Sequence, residues 1–451
     1  MSDALLVVAL FVVVLLAAPL VPLEPLIVVH MVGGSGRWAE LPPNGLGIPL
    51  ITGSAVVVHV FVRYCASPRG PRSTVRVVPR PEIALAVSGA LFAGWVFASL
   101  FWSPSTEYGL EKAVRLAALD LVPAVVLYAA IVLGYADVRQ VVLLLKWAAT
   151  ALSLGGVVSA FITGSTDEND RLSIGGTDPI RFGIFAGIGL LLWMYPMKES
   201  FPPWFLRWTM VILCAGALIG SDSKGPVIAT AVALVVPVIR TWSTKNAARL
   251  AGVVLIAILA FLALPSSYTE RFDPSIYSDP AQSESVALRQ QYQTSAIEEF
   301  MTHPLAGGGA GSFNTIPQVA WGDELPVGSG VVRYPHLLPL EVAAELGVIG
   351  LALLSCLVYT TCRIVSRRAV PDAVLALLLI SATETLFSGD ISDHRVIWFS
   401  LALAAGSVHR ASAAEHSRRV GDEDRDLGGD PRPERRGRHR ALPPLDPVPE
   451  G

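Results

Sequence analysis

The sequence predicts an all-α fold: a polytopic integral membrane helical bundle of about twelve spans, with one large extracytoplasmic loop. Three observations carry this. Hydrophobic residues make up 52% of the 451 residues and charged residues 16%, with a mean hydropathy of +0.54. Apolar runs of about 20 residues recur along most of the chain, each long enough to cross a hydrocarbon core. Lys and Arg gather in alternate short loops, the pattern of cytoplasm-facing connections.

The elements follow in order. The first apolar run, 4–23, has Asp3 before it instead of a basic segment, and many spans follow, so it reads as a retained helix rather than a cleaved signal. Leu26 to Val32 is apolar but too short to span and is expected at the outer interface. Further spans are expected at 45–63, 82–102, 114–134, 141–163, 180–197, 207–221, 225–242, 250–267, 336–362, 370–388 and 394–409. The loops holding Arg63 to Arg80, Arg139, Lys198 with Arg207, Arg240 to Arg249, and Arg363 to Arg368 all fall on one side by this count. That side is the cytoplasm, and both termini share it. Residues 1–410 thus form the membrane domain, with an extracytoplasmic loop at about 268–335. Residues 411–451 are rich in Arg, Asp, Glu, Pro and Gly and are expected to be a disordered cytoplasmic tail.

Several function classes drop out. No strongly basic domain or aromatic-basic face suggests a nucleic-acid partner. Cys65, Cys214, Cys356 and Cys362 lie in or beside spans without metal-ligand spacing. Asp390 and Asp393 are loosely spaced beside Arg395, which points to a salt-bridged loop rather than a cation site. No metal and no cofactor is expected. No internal repeat of the transporter kind is visible.

Basic residues on the outward side stand against the charge rule: Arg171, Arg181, Lys224, Arg271, Arg289, Arg333 and Arg395. Each alone could be a cation snorkelling to lipid headgroups. Converging on one site, they could hold a phosphate or pyrophosphate, for which Arg offers a planar fork. Arg171 opens a bent turn, Gly175-Gly176 and Pro179, that can aim it and backbone amides at a ligand. Lys224 lies in the tight turn Ser221 to Pro226. Arg289 lies on an expected amphipathic helix, 285–301, whose apolar face carries Val286, Gln293, Ile297 and Phe300, with Arg289 on its edge. The run Gly307 to Gly311 could present amides to an oxyanion or form a structural turn; it is not a Walker loop. His336 stands where a span begins, and a neutral His there could take a proton from an attacking hydroxyl. Glu341 and Glu345 lie about 140° and 180° round the helix from it, so they mark a polar interior or a pairing rather than partners of His336.

Five stretches together resemble the O-antigen ligase and polymerase superfamily of bacterial membrane proteins, over roughly residues 80–405. They are Phe101-Trp102-Ser103-Pro104, Arg171 with Asp178-Pro179, Ser223-Lys224-Gly225, the Arg289 segment with Pro304-Leu305 and the Gly run, and His336 followed by Glu345-Leu346-Gly347-Val348-Ile349-Gly350. The chain departs from the family pattern at Leu337, where Asn is usual, and at Lys224, where Arg is usual. The resemblance implies a GT-C-like glycosyltransferase that moves a glycan from an undecaprenyl or other polyprenyl pyrophosphate to an acceptor glycan or lipid, without a metal. It implies that Arg171, Arg289 and Lys224 bind the pyrophosphate and that His336 activates the acceptor hydroxyl, outside the plasma membrane of a bacterium. The competing reading is a transporter or flippase of similar span count, which would need charges deep in the spans.

Overall fold

The computed structural model describes residues 13–32, 47–66, 80–163, 171–173, 178–197, 203–240, 251, 284–316, 334–367, 369–387, 391–392 and 394–427. These are almost wholly helical. In chain order they give α1 (Leu23–Val32), α2 (Gly47–Ala66), α3 (Arg80–Ser99), α4 (Thr106–Val114), a π-helical stretch (Arg115–Leu121) and α5 (Val122–Leu133). There follow α6 (Val138–Thr163), α7 (Pro179–Met194), α8 (Trp204–Gly220), α9 (Lys224–Arg240), α10 (Glu284–Thr302), α11 (Leu338–Val365), α12 (Asp372–Glu384) and α13 (Arg395–Leu427).

Five segments are long and apolar enough to cross a membrane: Pro49–Ala66, Pro81–Ser99, Thr106–Leu133, Val138–Ile162 and Leu338–Val365. The protein is therefore a helical, multi-pass membrane protein. The described residues give five full-length spans where twelve were expected. Residues expected at 180–197, 207–221 and 225–242 form shorter apolar helices, because Asp178-Pro179 and the turn at Ser221 to Ser223 interrupt the apolar run. Asp178 caps α7, its side chain accepting from the Ile180 N–H at 3.0 Å with Pro179 in the first turn. The expected span 250–267 and most of 4–23 lie outside the described residues.

Leu26 to Val32 belongs to α1, which packs on α2 and α6, and Ile27 and His30 are fully buried by protein. His30 is held there by Thr52 Oγ1 at 3.0 Å and the Leu119 carbonyl at 2.7 Å, so the helix is a core element too short to span. The tail expected to be disordered from 411 is helical up to Leu427. Its Ala411, Ala413, Ala414 and Glu415 are strong helix formers, and they continue α13 without needing a core. The chain nevertheless divides into compact units at His409 and Arg410. Residues 428–451 lie outside the described ones.

The long span α11 packs along α3 and against α10. It is broken. Gly347 has φ 65° and ψ −163°, a conformation open almost only to glycine. A helix broken among spans leaves carbonyls and amides that need partners. The segment Pro304–Gly309 supplies them. Gly308 N–H donates to Ala344 O at 2.9 Å and Gly309 N–H to Glu345 O at 2.8 Å. Val348 N–H donates to Pro304 O at 2.9 Å and Ile349 N–H to Leu305 O at 3.3 Å. Trp95 Nε1 completes the set on Leu346 O at 3.0 Å.

Candidate functional site

The glycine run is the splint of the broken helix. Beyond the bonds to α11, its far side seats on the turn after α3. Trp102 Nε1 donates to Gly307 O at 3.2 Å, Ser103 Oγ to Ala310 O at 2.7 Å, and Ala310 N–H to Ser99 Oγ at 2.9 Å. A Cβ on Gly309 would stand 2.6 Å from Ser103 Cα. Of the two roles open to the run, an oxyanion cradle or a structural turn, these contacts show the second.

His336 sits at the head of α11 in a left-handed backbone conformation, φ 57°, uncommon for a side-chain-bearing residue and often a mark of function. Its ring lies parallel to Tyr292 of α10, centroids 6.3 Å apart, and tilted over Tyr334 at 4.4 Å. Its Nδ1 is buried, with no hydrogen-bond partner among the described residues. Burial first, and the positive charge of Arg289 second, hold its pKa down at about 4. The imidazole is therefore neutral at pH 7.

Arg289 is exposed on α10 and close enough for its charge to act on His336. The helix is turned from the expected face. Tyr292 and Ala296 are buried against Phe313 and Ala344, with Leu288 packed beside them, while Ile297 is 52% exposed. Small Ala296 and flat Tyr292 allow closer packing on α11 than Val286 and Ile297 would.

Arg171 and Lys224 belong to one locus. Leu172 N–H donates to Gly220 O at 2.9 Å, which ties the Arg171 strand to the end of α8. Lys224 begins α9 just after this, beyond Asp222, which has φ 47°. The α9 start packs on the end of α12: a Cβ on Gly225 would meet Phe387 Cβ at 3.0 Å. Thr385 O in turn accepts from Leu338 N–H at 3.0 Å, two residues past His336. The elements that carry these residues are thus packed in series, the end of α8 leading into α9, α9 onto α12, and the residue after α12 bonded to the head of α11. Arg171 and Lys224 are half-buried and hold polar or electrostatic contacts of their own. Arg271, Arg333, Asp390 and Asp393 lie outside the described residues. Arg395 faces Asp120 at 3.6 Å, and the adjacent His394 pairs with Glu384 at 3.0 Å.

The structure also shows a charged cluster that residue patterns missed. Lys112 of α4 places Nζ on Glu341 Oε1 and, at 2.7 Å, on Glu345 Oε2. Lys112 and Glu341 are each 1% exposed and Glu345 3%. The two carboxylates were visible as intramembrane charges. Lys112 was hidden by its neighbours, because Glu107, Glu111 and Arg115 make its turn look like a solvated helix start.

Among comparisons with known proteins, a family model described as O-antigen ligase matches residues 209–355. No curated protein matches the chain.

Proposed function

We propose, on the premise that residues 209–355 belong to the O-antigen ligase superfamily, that the protein is a membrane glycosyltransferase. It transfers a glycan from a polyprenyl-pyrophosphate carrier to an acceptor hydroxyl on a glycan or lipid. The membrane domain is then a GT-C-like bundle of about twelve spans in a bacterial plasma membrane, with both termini cytoplasmic and the site outside.

The observation that carries this reading is His336, neutral and partly enclosed beside Arg289; Arg171 and Lys224 are assigned to the same site as part of the proposal. The acceptor O–H gives its proton to the imidazole as its oxygen attacks the anomeric carbon. The bond from that carbon to the pyrophosphate oxygen breaks, and the lipid pyrophosphate leaves. Arg171, Lys224 and Arg289 stabilise the charge on the leaving group. A base with a pKa near 4 is weak. The bound pyrophosphate offsets the Arg289 charge and lifts that pKa when the donor is in place. The chemistry so written uses no metal and no cofactor.

The test is transfer from a purified lipid-linked donor by protein in nanodiscs. His336→Ala and Arg289→Ala should each abolish most turnover; wild-type rates in both refute the mechanism. Two features favour the transporter reading: broken helices line transporter sites, and Lys112, Glu341 and Glu345 put charges inside two spans. Here the ends at Gly347 are taken up by 304–309, so those backbone groups are not left for an ion. Donor movement across vesicles without glycan extension would favour the transporter.

A further inference from the structure

The break at Gly347 detaches the first part of α11, Leu338–Leu346, from the rest of its span. A helix this short has little stability of its own. Its tail is pinned by the splint 304–309, and its head leads out of His336. Between them, Glu341 and Glu345 stand one turn apart on one face, and Lys112 Nζ reaches both. A buried ion cluster is poor evidence for stability, since apolar or neutral side chains of the same shape usually serve as well. This one needs a reason beyond stability, and its position supplies one.

We propose that Lys112, Glu341 and Glu345 are positioning residues: the ammonium clamps the detached half-helix to α4 and so sets the place of His336. This rests on the reading of His336 as the acceptor base. Among the described residues, the groups that face His336 are Arg289 and Tyr292 from α10 and Tyr334 just before it in the chain. Moving the half-helix changes its distance to all three.

The experiment uses full-length protein in nanodiscs and the triple variant Lys112→Met, Glu341→Gln, Glu345→Gln, which keeps the shapes and removes the charges together. Unfolding midpoint, donor KM, kcat and the titration of the His336 ring by 15N-histidine NMR are measured. The expected result is a folded protein with unchanged donor KM and a kcat lower by roughly one to two orders of magnitude, the cost of a small misplacement. The His336 titration should move up from about 4 towards 6.5. The single variant Lys112→Arg, which keeps the charge and both carboxylates, should retain much of the wild-type rate. Wild-type kcat and titration in the triple variant overturn the proposal. If the triple variant does not fold, Glu345→Gln, which leaves Lys112 one carboxylate, is judged by the same two readouts. The NMR titration separates this proposal from the function: if His336→Ala stays active, the base assignment fails, and a shifted titration still shows the clamp.

Discussion

Replacing Gly347 with Ala tests whether the splinted break holds α11 and its neighbours together. An L-residue at φ 65° and ψ −163° carries strain of about 1–3 kcal/mol. The new Cβ would also lie 2.5 Å from Leu305 C and 2.6 Å from Gly307 N, both backbone atoms that cannot swing aside. Relieving this moves the 304–309 segment and loosens at least one of the bonds from Val348 to Pro304 O and from Gly308 to Ala344 O. A buried donor left unmet costs about 1–3 kcal/mol, so the expected loss is about 2–6 kcal/mol in all. The control is Gly89→Ala in α3, where a Cβ meets nothing within 4 Å; it should be neutral, or stabilising by up to about 1 kcal/mol. Both variants are unfolded by denaturant in one detergent and compared with wild type. If Gly347→Ala unfolds together with Gly89→Ala, the reasoning about the break is wrong.

Three further outcomes are expected. His336 should act as a base only when neutral, so kcat/KM falls at acid pH through a limb near 4 rather than 6.5. Arg289→Gln removes a cation that disfavours the imidazolium, so in a pH–rate series its residual activity should show that limb at higher pH; an unmoved limb refutes the coupling. Lys224→Ala should raise donor KM with kcat less affected, and Lys224→Arg should keep donor KM near wild type, since a cation remains; equal donor KM in Lys224→Ala and wild type removes Lys224 from the donor site.

The helical, membrane-spanning character was legible because apolar span length is a local property of the chain. The starts of α7 and α9 and the head of α11 were readable from Asp178-Pro179, the Ser221 to Pro226 turn and the apolar run after His336. What stayed hidden depends on distant partners. Glu341 could be seen as an anomaly, but Lys112 lies 229 residues away in sequence. The break at Gly347 was invisible for the same reason: a lone glycine in a helical pattern is ordinary, and only the docked segment at 304–309 gives the helix somewhere else to bond. The orientation of α10 was misread because side-chain hydrophobicity ranked Ile297 above Ala296, while close packing on α11 favours the smaller residue.

The splinted break also implies an order of assembly. As one continuous helix, α11 can satisfy its own backbone without help. As a broken helix it cannot, until Pro304–Gly309, Trp95 and Trp102 are in place. All of these precede it in the chain, so synthesis delivers the receiving groups before α11. The helix can then enter the membrane unbroken and exchange its own hydrogen bonds for those of the segment as it docks. The head of α11, next to His336, also needs Thr385 O to accept from Leu338 N–H, a group that is made only after α11.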